Sequence, residues 1–142
     1  MWRMSLVLAV TVGGLFVAGC ESSKASVSSR TELDKLQGTW QLVSGTVDGR
    51  ALPDDEVRRT QIVTRGNTFV FPNAAGVGTS ARGTFTVNPD TTPKQVDSTA
   101  TDGPNAGRVS RGLYEVSGDN QRTAFGPPGS GTILQVWRRI GP

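Results

Sequence analysis

Histidine is absent from the 142 residues, and cysteine occurs once, as Cys20. Without histidine there is no Ser-His or Cys-His nucleophile pair. One cysteine closes no internal disulfide and builds no zinc site of Cys/His type. Lysine is scarce, with Lys24, Lys35 and Lys94 set against twelve arginines. Lys24 and Lys35 precede the patterned part of the chain and Lys94 follows Pro93 in a turn, so a buried Ser-Lys arrangement has no candidate. Neither sign of charge dominates: the net charge is +3, and +2 once the first nineteen residues are removed. Such a small, scattered excess excludes the basic stripe that nucleic-acid binding needs. Hydrophobic residues are 35% of the chain, enough for a thin core only. What is plentiful is glycine, 18 residues, and proline, 8, without a period. That composition belongs to a many-turn β protein, and the length to one domain.

The N-terminus reads as a targeting segment. Met1–Met4 carries one positive charge, and Ser5–Phe16 is apolar apart from Thr11 and the Gly13-Gly14 pair. A run of that length is short of the ~20 residues a spanning helix needs and suits a signal peptide. It ends in Val17-Ala18-Gly19-Cys20, which resembles a bacterial lipobox with Val in place of the commoner Leu. The resemblance implies cleavage after Gly19 and lipidation of Cys20, hence a cell-envelope protein anchored to a membrane. Residues 1–19 are then a signal peptide, 20–31 a lipidated Ser-rich tether and 32–142 the domain. The stretch Glu21–Thr31 has no hydrophobic period and is expected to be a flexible spacer. Thr31 is the expected N-cap of a short helical turn carrying Leu33 and Leu36.

From Gly38 onward apolar and polar residues alternate in short runs separated by turn signals. Strands are expected over about 38–47, 60–65, 68–71, 81–87, 94–99, 108–116, 121–125 and 132–139. Asp48-Gly49, Gly66-Asn67 and Gly118-Asp119 mark the tight turns. Residues 53–59 form the expected second helix, with Pro53 at its start, acids in the first turn and bases in the last. Eight short strands at near-regular spacing predict an all-β, eight-stranded antiparallel up-and-down barrel, closed so that no edge is left open. The expected inward set is Trp40, Leu42, Ile62, Phe69, Phe71, Phe85, Val87, Val96, Tyr114, Val116, Phe125, Leu134 and Val136. In the last strand Ile133 and Trp137 lie on the opposite face and compete for the interior.

Leu36-Gln37-Gly38-Thr39-Trp40 has the Gly-x-Trp opening of lipocalin-like (calycin-type) barrels. Residues 33–139 resemble an uncharacterised, planctomycete-enriched family of small lipocalin-like domains. The resemblance is carried by Leu36–Pro53, Gly83–Asp97, Thr101–Gly107, Gly112–Asp119 and Pro127–Gly131, in that order. Two departures stand out: Thr123-Ala124-Phe125 lacks a cysteine usual in the family, and an Arg-Pro insertion within 127–131 is missing. By the same resemblance, Gly38 and Trp40 close the barrel, with Arg138 or Arg139 laid over the indole in a cation–π contact.

No catalytic constellation is present. Asp54, Asp55 and Glu56 fit the start of a helix, and Asp97, Asp102 and Asn105 miss calcium-loop spacing and fit turns. Gly126–Gly131 is a poor phosphate cradle because Pro127 and Pro128 remove two backbone donors. Glu115 is expected to face solvent. The chain therefore reads as non-enzymatic, with no metal, cofactor or nucleic acid. An eight-stranded barrel either holds one small ligand or is just filled by side chains. The first outcome gives a membrane-tethered binder of a small apolar or amphiphilic molecule, lined by Phe69, Phe71, Phe85, Tyr114 and Phe125. The second gives an envelope interaction or structural module with a solid core.

Overall fold

A computed structural model describes residues 21–73, 81–126 and 132–142, with side chains from residue 28 onward. The leader, Cys20 and the 127–131 loop lie outside the described residues.

The element order is α1 (Glu21–Lys35), β1 (Gly38–Val47), β2 (Arg50–Ala51), α2 (Asp54–Arg59), β3 (Gln61–Arg65), β4 (Thr68–Val70), β5 (Arg82–Asn88), β6 (Lys94–Ala100), β7 (Val109–Ser117), β8 (Asn120–Phe125) and β9 (Ile133–Gly141). From β3 onward each strand pairs antiparallel with the next, β1 pairs with β3, and β1 also pairs with β9. β1 and β3–β9 therefore form a closed eight-stranded antiparallel barrel, as the alternation predicts. β2 is a two-residue finger folded back on β1. Asp48 (φ 53°) and Gly49 (φ 76°) make its turn, both positive as a type I′ hairpin requires.

Closure needs β1 to serve two neighbours at once. Its first residues pair with β3, from Gly38↔Thr64 to Gln41↔Gln61, while Thr39 to Val47 pair with β9. Between Leu42 and Ser44 the register slips, leaving Val43 as an extra residue that is 48% exposed. The bulge reverses the parity of β1: Trp40 and Leu42 face inward before it, Gly45 and Val47 after it.

β9 resolves the competition for its inner face in favour of Trp137. Leu42 stands opposite Trp137, which is 2% exposed, whereas Leu134 is 48% exposed and Val136 shares its outward face. The larger apolar group takes the interior, and its indole N–H finds a partner there, the Thr123 hydroxyl at 3.3 Å. Leu134 and Val136 are thus outer-wall residues, contrary to the expected inward set.

Two apolar clusters fill the barrel. Leu36, Phe85, Val96 and Tyr114 form the first, at the end where β1 begins, with Leu33, Phe69, Val87, Val116 and Phe125 against it. Trp40, Leu42 and Trp137 form the second, with Leu52, Val57, Ile62, Phe71 and Val116 around it. α1 supplies Leu33 and Leu36 as a plug for the floor. It is described from Glu21, ten residues ahead of Thr31, which sits inside the helix and not at its N-cap. Ser, Ala, Lys and Glu carry small helix penalties, and the packed last turn supplies the costly nucleus. α2 lays Val57 on the second cluster, and the Gln41 side-chain amide donates to the Val57 carbonyl at 2.9 Å, tying off its C-terminus.

Exchanging faces on β9 gives a direct test. Trp137→Ala should cost about 3–5 kcal/mol in urea denaturation, and Leu134→Ala about 0.5 kcal/mol or less. Equal losses would return Leu134 to the interior.

Candidate functional site

The floor of the barrel is locked by Arg139. Its guanidinium carbon lies 4.5 Å from the Trp40 ring centroid. Its terminal nitrogens donate to the carbonyls of Gln37, Lys35 and Gly118. Nε sits 3.1 Å from the Asp119 carboxylate, an ion pair off the alignment of a hydrogen bond. Lys35 ends α1 and Gln37 lies two residues beyond it, so the cation also meets the negative end of the helix. Trp40 is fully buried, and its own indole N–H donates to the Leu36 carbonyl at 3.0 Å. Gly38 has φ 121°, and a Cβ there would fall 2.7 Å from the Gly141 carbonyl oxygen. Of the four residues expected at the closure, Gly38, Trp40 and Arg139 converge; Arg138 is exposed on the outer wall.

Beside this lock sits a buried charge. Glu32 is 5% exposed and accepts from Lys35 Nζ (2.6 Å), Lys94 Nζ (2.9 Å) and Tyr114 Oη (3.2 Å). Burial pushes its carboxyl up, but the two ammonium groups and the phenol outweigh that and hold it below the ordinary carboxylate range. Burial, and after it the Glu32 charge, raises the Tyr114 phenol. Lys94 stands 62 positions from Glu32 in the chain, and nothing in the local pattern of either residue announces the pair.

The five aromatics expected to line a cavity are largely consumed by packing. Phe85 and Tyr114 belong to the lower core. The Phe69 ring covers Gly83, where a Cβ would fall 2.4 Å from it, and the Phe125 ring covers Gly112 at 2.6 Å. Phe71 meets Phe69 edge-on, with centroids 5.7 Å apart, and lies 6.4 Å from Trp137.

The opposite end of the barrel is more open. The register aligns Gly112, Phe125, Ile133 and Val47 in one inward row at the mouth. Ile133 is 37% and Val47 39% exposed although both face inward. A concavity of about 410 Å³ adjoins Val47, bounded by Val47, Asp48, Arg50, Ala51 and Leu52. One row deeper stand Tyr114, Thr123, Gln135 and Gly45. Thr123 and Gln135 form an inward polar pair, Oγ1 donating to Oε1 at 3.1 Å. The alternation Gln135-Val136-Trp137 places Gln135 beside Trp137's face, a signal that was available once Trp137 was assigned inward.

A second concavity, about 380 Å³, lies on the outer wall. Outward side chains of four strands border it, among them Leu113, Ala124, Leu134, Val136 and Thr46. Glu115 is exposed there, as expected. Among the described residues no three Asp or Glu side chains lie close enough to hold a metal. Asp55 pairs with Arg59 at 3.0 Å, and Asp102 accepts from the Arg82 backbone N–H at 3.1 Å, a strand-end contact.

No protein-family model, curated protein or solved structure matches the chain.

Glu32 makes stability depend on pH with a defined sign. Its folded value is lowered, so its contribution is complete above the unfolded value of about 4.3 and fades as pH falls through the folded one. Glu32→Gln should lose roughly 1–3 kcal/mol at pH 7, and the gap to wild type should narrow below pH ~4. A gap of constant size in urea titrations from pH 7 to 3 would remove the carboxylate from this role.

Proposed function

We propose that this chain is a non-enzymatic bacterial lipoprotein, anchored to a cell-envelope membrane through acyl chains on Cys20, whose barrel mouth binds a small apolar or amphiphilic molecule. The lipocalin-like family resemblance belongs to the same proposal. The observation that carries it is the mouth itself. Val47 and Ile133 face inward yet remain more than a third exposed, and Val47 borders a concavity of about 410 Å³ at the β1–β2 finger. That volume falls within the range of small-molecule sites, and barrel mouths are favoured places for them. The lower barrel is packed, so the ligand would occupy the upper rows only. Among the described residues no helix is long and apolar enough to cross a membrane; attachment in this reading rests on the acyl chains, each adding ~0.8 kcal/mol per buried CH₂.

A second reading has its own observation. The outer-wall concavity is bordered by Leu113 and Leu134, 39% and 48% exposed, and a packed barrel presenting that wall would act as an interaction module of the envelope.

Two measurements test the proposal. Cys20→Ala should move the protein from the membrane to the soluble fraction; unchanged membrane association would sink the anchor. Native mass spectrometry of the wild-type protein extracted from its own membrane should reveal a co-purifying small molecule. A bare polypeptide mass, with a protein co-purifying instead, would favour the interaction module.

A further inference from the structure

The exposed apolar residues of the barrel are gathered on one wall. Every large apolar side chain that the described residues leave exposed belongs to β1, β7 or β9, and none to β3–β6. With β8 lying between β7 and β9, these are four consecutive strands of the closed sheet. Register sets their outward side chains in rows. Leu113, Ala124, Leu134 and Thr46 stand in one row, and Glu115, Arg122, Val136 and Ser44 in the next. The first row is uneven: Leu113 and Leu134 are 39% and 48% exposed, and Ala124 between them carries one methyl group. The outer-wall concavity of about 380 Å³ takes in both leucines and the alanine. The second row sets an acid and a base on adjacent strands. Glu115 and Arg122 are both exposed, and neither makes an ion pair among the described residues.

Both rows are self-complementary about one line. A two-fold axis along the strands, between β7 and β8, lays β7 of one copy over β8 of another at the same level. Leu113 then fills the gap above the partner's Ala124, and the reverse. Glu115 meets the partner's Arg122 in two equivalent contacts. An anionic lipid surface would attract Arg122 and repel Glu115, whereas a second copy matches both charges. We propose that the outer wall of β7 and β8 is a self-docking face, occupied by a second copy of this chain across that axis. The inference rests on the interaction-module reading above, is independent of the mouth, and names the partner. A convex wall of four strands, ~4.8 Å apiece, is small beside the ~800 Å² that each partner buries in a standard interface. The dimer is therefore weak and forms with rising concentration.

The experiment is sedimentation of the full chain in a non-ionic detergent over a wide range of concentration. The protein mass should rise from that of one chain toward that of two. Glu115→Arg and Arg122→Glu each set like charges together at both contacts, so either alone should weaken the dimer about tenfold or more. An equimolar mixture of the two variants should restore it, because each contact again holds an acid and a base. Rescue on mixing cannot come from a change in the fold of either variant, and melting temperatures check that both remain folded. A dimer that ignores both reversals, or that mixing fails to restore, overturns this face. A wild-type monomer at every concentration overturns the second copy, whether the wall carries a different protein, an anionic phospholipid that Arg122→Glu releases, or nothing. Only a bare wall also removes the interaction-module reading.

Discussion

The barrel depends on one contact between its two chain ends, the guanidinium of Arg139 lying on the indole of Trp40. Trp40 is in the first strand and Arg139 in the last, and the pairing of these two strands removes every open edge from the sheet. A cation–π contact is worth ~0.5–2 kcal/mol and would not close a barrel alone. Here the same side chain also satisfies carbonyls at the end of α1 and one in the β7–β8 turn. One residue thus ties the first strand, the plug helix and a distant hairpin together. Three carbonyls from separate segments converge on it, which makes the arrangement hard to replace piecemeal.

Beyond this lock, packing is distributed unevenly along the barrel axis. The seven aromatics from residue 20 onward are too few to fill an eight-stranded barrel uniformly. Most are taken up by packing, and Gly83 and Gly112 give up their side-chain volume to the rings of Phe69 and Phe125. Leu33 and Leu36 complete the floor from outside the sheet. Among the described residues at the other end, Val47 and Ile133 stay more than a third exposed.

Polar groups follow the same axis. Glu32 at the floor is surrounded by two ammonium groups and a phenol, and pins the plug helix to β6 and β7. The relay from Trp137 through Thr123 to Gln135 runs the other way, toward the mouth. Each satisfies a group the core has buried.

How much of this the sequence determined by itself can be followed residue by residue. The alternation from Gly38 onward, the turn residues at Asp48-Gly49 and Gly118-Asp119 and the acid-to-base order of residues 54–59 settled the strands, hairpins and α2. These are local preferences, set by backbone geometry and by which face a side chain meets. Trp40 as a fully buried closure residue was legible for the same reason. Tertiary structure decided what depended on distant partners. Val43 reads like any strand residue until β9 is alongside, and its bulge reverses the inner face of β1. Leu134 and Trp137 both suited the interior, and the Thr123 hydroxyl on the adjacent strand helped to settle the choice. Arg138 and Arg139 were equivalent in the chain until the parity of β9 turned one of them over Trp40. Glu32 finds its partners Lys94 and Tyr114 only through the fold, 62 and 82 positions away in the chain. A period of two fixes that a strand has an inner face, but which residues occupy it is settled only by register against neighbouring strands.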